Sequence, residues 1–352
     1  MSGYERLGEH PPSADAFDLV SRLAGESGRS LSDFISGGDA IRALDEALRT
    51  TNSPTRIYGR RAEEMFGYVV AVLGAASALK REDSGPVIVP EGTSIAVPDY
   101  RIVLPDEKEI LVEVKNCHLE DPHKPIRLEE AYLRKLVTYG EIFQRPVFVA
   151  VYWSRWYVWT LHPVADLLDA LARGISLTFL NVLPASHMRV VGDVSLATIY
   201  PLMLRLVVDS ERVAGTDSES THHMVIRDVH IFAAGKEIQD KIEKNMAFYL
   251  MLNGRWSEED PKAIMEDGQV SAIEFVCNPE EQDSELNFAI VASASTLASV
   301  QFNSLTTTDG EVSRLHVRRI SQHPFPKADS QYANSVLPIW RLIMQPSPIK
   351  EW

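Results

Sequence analysis

Residues 97–115 read Val97-Pro98-Asp99-Tyr100-Arg101-Ile102-Val103-Leu104-Pro105-Asp106-Glu107-Lys108-Glu109-Ile110-Leu111-Val112-Glu113-Val114-Lys115. Two apolar runs, Ile95 to Leu104 and Ile110 to Val114, flank Pro105-Asp106-Glu107-Lys108, which is good turn chemistry, so the stretch predicts a β-hairpin. Asp99 then opens one strand and Glu113 lies near the end of its partner, and pairing can bring the two carboxylates together. Glu113 and Lys115 are two residues apart on a strand and leave it on one face. Two acids and an amine at one sheet edge are costly, because unpaired charges there lose their hydration. A Mg²⁺ ion would offset the carboxylates' repulsion, and hard oxygen donors suit an octahedral ion.

Outward from the hairpin, Arg60 to Lys80 predicts a helix, with Ala62, Met65, Phe66, Val69, Val70 and Leu73 on one face. Gly85-Pro86 ends that segment, and Val87-Ile88-Val89 reads as a first strand. Residues 127–143 return to helical spacing through Leu133, Leu136, Val137 and Gly140. Pro146 introduces an apolar strand from Val147 to Trp153, and a second strand runs from Trp156 to Leu161. His162-Pro163 leads into a short helix near 164–172. A helix between two apolar strands implies a crossover connection and a mixed sheet flanked by helices.

This order and the residues Pro98-Asp99 and Glu113-Val114-Lys115 resemble the PD-(D/E)xK nuclease superfamily, over roughly residues 60–161. The resemblance implies an α/β restriction-endonuclease-like core and metal-dependent hydrolysis of phosphodiester bonds in DNA, with RNA left open. It implies that Asp99, Glu113 and the backbone carbonyl of Val114 hold Mg²⁺ (or Mn²⁺), and that Lys115 orients or deprotonates the attacking water. Many members add a glutamate from the first helix. Glu63 lies roughly 75° from the centre of the apolar stripe and Glu64 nearly opposite it, so Glu63 is the expected fourth residue. Some branches carry Gln and Tyr four residues apart on the second helix. Here those positions are Lys135 and Tyr139, which are retained as nucleic-acid contacts without the glutamine.

The rest of the chain bounds the function. With 35 Lys/Arg against 49 Asp/Glu, a net charge of −14 argues against a surface that grips nucleic acid everywhere. The acidity lies mainly outside residues 54–160, which hold 14 basic against 15 acidic side chains. Acidic flanks suppress non-specific phosphate binding and favour a partner protein or a homodimer contact. No apolar run reaches the roughly 20 residues of a membrane span, and the N-terminus lacks the features of a secretory signal, so a cytoplasmic protein is expected. Two cysteines, Cys117 and Cys277, make no disulfide framework. GxSxG, GxxxxGK and GxGxxG motifs are all absent.

The expected organisation is a helical N-terminal segment (1–53), a nuclease-like domain (54–186) and a separate C-terminal α+β domain (187–352). The last shows strand-like runs at Leu202 to Val208, Met224 to Phe232, Ala272 to Val276, Phe288 to Ala292 and Leu315 to Ile320, with one helix near 236–252. Tyr152, Trp153, Trp156, Tyr157 and Trp159 chiefly fill sheet faces, with Trp156, beside Arg155 in the turn, the candidate for stacking on a base. His222, His223 and His230 with Asp228 read as surface and sheet residues, not a metal site. Two functions remain: a metal-dependent nuclease, acting alone or within a defence or repair assembly, and a catalytically inactive nuclease-fold module that binds nucleic acid or a protein.

Overall fold

The computed structural model describes residues 54–82, 87–209, 223–257, 259–280, 288–317, 319–321 and 335–351, with short stretches of the first 46 residues. The helical run expected from Ser13 to Leu23, the loop 210–221 and His222 lie wholly or almost wholly outside the described residues. Strand β1 (Gly3–Glu5) and helix α1 (Leu31–Ser36) precede the long helix α2 (Pro54–Leu73). There follow β2 (Ala78–Arg81), β3 (Tyr100–Val103), β4 (Glu109–Cys117), α3 (Glu130–Phe143), β5 (Val147–Trp153), β6 (Val158–Pro163) and α4 (Val164–Ala172).

Strands β2 to β6 form one five-stranded sheet in chain order. Every neighbouring pair is antiparallel except β4 and β5, which are parallel and joined through α3. The protein is thus mixed α/β around a mixed sheet. Alternation along the strands divides the core. Ile110, Val112, Val114, Phe148, Ala150 and Tyr152 pack toward α2, with Phe66, Val69 and Val70. Leu111, Cys117, Val147, Val149, Val151 and Trp153 pack toward α3 and α4, with Leu133, Leu136 and Leu167. Every residue of β5 is buried, as a central strand covered on both faces requires.

Two expectations in this region are corrected. The helix read to Lys80 ends at Leu73, where Gly74 turns to φ +69° and donates back to Val70 and Ala71, a left-handed helix stop that a glycine adopts without steric cost. The chain after it becomes β2, paired with β3 from Ala78 opposite Val103 to Arg81 opposite Tyr100. Val87 to Val89 forms no strand, and Ile88 is 96% exposed. The loop leading back to the hairpin is instead tied by the Glu82 amide donating to the Asp99 carbonyl and the Ala96 amide donating to the Lys135 carbonyl.

Beyond α4 lie α5 (Phe179–Val182), β7 (Ser195–Ile199), β8 (Leu202–Val208), β9 (Ile226–Ala233), β10 (Lys236–Glu237), α6 (Lys241–Asn253), β11 (Lys262–Glu266) and β12 (Gln269–Cys277). The chain then forms β13 (Phe288–Ser293), α7 (Ala294–Thr306), β14 (Thr307–Thr308), β15 (Glu311–Val312), β16 (Arg319–Ser321) and β17 (Ile339–Leu342). An antiparallel sheet runs β10-β9-β8-β12-β11, and a smaller one runs β13-β7-β17. Helix α7 was not foreseen. Its Ser293 cap accepts from the Thr296 amide, and its Ala, Ser and Thr residues are buried on several sides, leaving no apolar stripe to read. Leu297, Ala298 and Phe302 of α7 share one core with α2 and the first sheet. No helix among the described residues is long and apolar enough to cross a membrane.

Candidate active site

The hairpin register sets the site. Tyr100 opposes Val112 in the antiparallel β3–β4 pair, so one step further Asp99 falls opposite Glu113. There β3 begins, while β4 continues alongside β5 as far as Cys117 opposite Trp153. Past Val112, β4 therefore has a vacated side. The Val114 amide, which would have met a longer β3, donates instead to Asp99 Oδ2 at 2.6 Å. In an extended strand a residue's N–H and C=O leave on the same side, so the Val114 carbonyl belongs to this gap as well.

Glu113 and Lys115 leave β4 on the α3 face. Lys115 Nζ lies 2.5 Å from Glu113 Oε1, and the same oxygen accepts from the Tyr132 hydroxyl of α3 at 2.6 Å. The ammonium also sits 4.7 Å from the centroid of the Tyr132 ring. Glu113 is 4% exposed, so its charge is held by these two donors. Asp99 is placed less comfortably. Burial, and next the charge of Glu113, push its carboxyl up to about 8, with Glu63 adding in the same direction. The Val114 amide and the Lys115 ammonium offset part of that shift. Burial and the bond to Glu113 also raise the Tyr132 hydroxyl well above its ordinary range, so Tyr132 acts as a donor and not as an acid.

Glu63 comes from α2 and lines a cleft of about 710 Å³ together with Val114, Lys115, Asn116 and His118. It accepts from Arg60 at 2.9 Å and from Arg81 at 3.3 Å. Its neighbour departs from expectation: Glu64 does not face solvent but is 4% exposed, paired with Arg81 at 3.0 Å. The helical wheel misplaced it because α2 is covered on several sides, by the sheet, by α7 and by β16, and because Arg81 arrives from a strand read as helix. The helix is docked by Tyr100, whose hydroxyl donates to the Glu63 carbonyl at 3.0 Å.

The proposed nucleic-acid contacts fare differently. Tyr139 is corrected: it is 2% exposed, its hydroxyl donates to Glu82 at 2.8 Å and its ring packs on Phe143, so it has no surface to offer a strand. Lys135 is exposed on α3. Trp156 is half-buried and stacked on Phe179 with centroids 4.7 Å apart. Its aromatic neighbours Tyr152, Trp153 and Trp159 are buried and fill the sheet. Tyr132, which flanks the apolar face of the second helix and is expected there as a phosphate contact, instead serves Glu113 and Lys115, and Arg81 was not singled out at all. The spacing of Tyr132, Leu136 and Tyr139 on one helical face was a readable signal for the first; nothing local announced the second. His230 pairs with Glu237 at 2.6 Å and Asp228 at 3.3 Å.

The donors at Asp99 and Glu113 suit a hard divalent cation: two carboxylates held close, one of them forced toward protonation by burial and by the other's charge, beside a backbone carbonyl. Among the described residues, no group of three or more His, Cys, Asp and Glu side chains is placed to hold a metal. An ion here would draw the rest of its shell from backbone oxygen and water, as Mg²⁺ commonly does.

No protein-family model matches the chain, and no curated protein matches it. Four chains of solved structures match. Among them is Archaeoglobus fulgidus Hjc, a Holliday junction resolvase from an archaeal hyperthermophile, with 23% identity over 31% of this chain and 75% of that chain. The match is weak, at a TM-score of 0.22.

Proposed function

We propose that this protein is a divalent-metal-dependent nuclease that hydrolyses phosphodiester bonds in DNA, with a restriction-endonuclease-like core in residues 54–186. The observation that carries the reading is the meeting of Asp99, Glu113 and Lys115 at the gap beside β4, where Asp99 is pushed up to about 8 by burial and by Glu113. A charge pattern this costly is relieved by a cation. Asp99, Glu113 and the Val114 carbonyl would hold Mg²⁺ or Mn²⁺, which supplies Lewis acidity toward the phosphoryl group. Lys115 orients the attacking water and stabilises negative charge growing on the phosphate oxygens. Tyr132 and Glu113 fix the Lys115 ammonium, and Glu63 adds negative charge from the α2 side of the site.

Residues 187–352 serve as a platform for a protein partner or a second copy, in keeping with their acidity. The test is cleavage of plasmid and single-stranded DNA by the full chain in Mg²⁺, Mn²⁺ and EDTA. Expected is cleavage with either metal, none in EDTA, and a fall of roughly 10²-fold or more for Lys115→Ala and for Asp99→Ala. Binding of DNA without cleavage under every condition would favour the inactive binding module instead.

A further inference from the structure

One cation near the site has no acid to answer it among the described residues. Arg61 of α2 is 8% exposed. Its Nη2 donates to Asn303 Oδ1 at 2.8 Å and Thr307 Oγ1 at 3.0 Å, and its guanidinium lies 5.4 Å from the Phe302 ring centroid. Its Nη1 is buried and has no hydrogen-bond partner among the described residues. No carboxylate among the described residues pairs with it; the acids two and three positions along the helix, Glu63 and Glu64, go to Arg60 and Arg81. Burial accordingly lowers the Arg61 pKa from its ordinary value. A guanidinium stays charged in a protein, and leaving it buried without an anion is strongly unfavourable.

Arg61 lines the same cleft as Lys115. It also lines a neighbouring cleft of about 670 Å³, to which Arg314 contributes. Two exposed rings stand at the first cleft, Tyr58 and Tyr157, 56% and 43% exposed. Tyr157 is held at φ +56°, a conformation that a bulky residue rarely adopts. Its carbonyl accepts from Thr296 of α7 at 3.0 Å.

We infer that this cleft is a second phosphate-binding subsite, in which Arg61 receives a phosphate of the strand being cut while Tyr58 and Tyr157 flank the adjoining base. This deepens the nuclease reading and rests on it. The phosphate is a terminal monophosphate or an internal phosphodiester, and both present the oxygens that a guanidinium fork matches. An unpaired strand fits better than a duplex, because bases can reach aromatic rings only when unstacked from their partners.

The test uses the full chain in EDTA, so that binding is read without cleavage. Inorganic phosphate at millimolar concentration should raise the melting temperature of the wild type and not of Arg61→Gln. Fluorescence anisotropy with a short single-stranded oligonucleotide, bearing a 5′-phosphate or a 5′-hydroxyl, should show roughly tenfold weaker binding for Arg61→Gln. Loss confined to the phosphorylated oligonucleotide identifies a terminal monophosphate, and equal loss for both identifies an internal phosphodiester. Arg61→Lys, which keeps the charge and loses the fork, and Tyr157→Ala, at the exposed rim, carry the test if Arg61→Gln does not fold. Unchanged affinity and unchanged phosphate response in these variants overturn the subsite. That result with metal-dependent cleavage intact leaves the nuclease reading standing. Arg61-dependent binding without cleavage in any metal removes the nuclease reading alone.

Discussion

Asp99 concentrates the site's electrostatic cost on one side chain. Burial and the Glu113 charge push it up to about 8 from an ordinary 3.8. A carboxyl raised in this way favours the fold fully below its unfolded value, and that contribution is lost as the pH climbs through about 8. With metal removed, the full chain should therefore melt at falling temperature between about pH 5 and 8.5. Asp99→Asn should flatten the loss and melt roughly 3 °C or more above the wild type at the alkaline end. Equal melting of the two proteins at pH 8.5, measured by circular dichroism in EDTA, would mean that Asp99 is neither buried nor crowded as described. Much at this scale was legible. The two-residue spacing put Glu113 and Lys115 on one face, and the turn at residues 105–108 set a register that brings Asp99 opposite Glu113. The Arg81 partner of Glu63 and Glu64 was not legible, because it reaches them from a strand whose residues continue a helical pattern.

Helix α2 reaches the site through one close approach to the sheet. A Cβ built on Gly67 would stand 3.0 Å from the Tyr100 hydroxyl oxygen and 3.2 Å from the end of Leu79, tighter than ordinary packing. The same Tyr100 hydroxyl holds the Glu63 carbonyl. Gly67→Ala should push α2 away from β3 at a packing cost of roughly 1–3 kcal/mol, set against about 1 kcal/mol of gained helix propensity, and on the nuclease reading should lower cleavage by displacing Glu63. Tyr100→Phe, which keeps the ring, should cost about 0.5–1.5 kcal/mol. Urea unfolding of the full chain measures both, and a raised midpoint for Gly67→Ala would show that the contact gives way freely. Elements were readable where their periodicity was uninterrupted: β5 and α4 lie where the sequence puts them. The end of α2 was missed because Ala76 and Leu79 prolong the apolar spacing past Gly74. Helix α7 was missed because a helix enclosed by neighbours has no polar face to set a period.

Across the whole molecule, charge and core are distributed differently. The acidity lies mostly away from the first sheet, whereas the apolar core runs continuously from α2 and that sheet into α7 and α6. Local patterns could expose the first and not the second, since packing between distant segments leaves no spacing in the sequence. A chain with 49 acidic residues offers many weak footholds to a divalent cation at its surface. The gap beside β4 differs from these in gathering two close carboxylates where one is already forced toward protonation. The most direct measurement is therefore an anomalous-scattering map from crystals of the full chain soaked in Mn²⁺. Expected is a dominant peak between the Asp99 and Glu113 carboxylates, within about 2–2.5 Å of an oxygen of each, and its loss in Asp99→Asn. A map with its strongest peaks elsewhere and nothing between these two side chains would contradict the metal-dependent site.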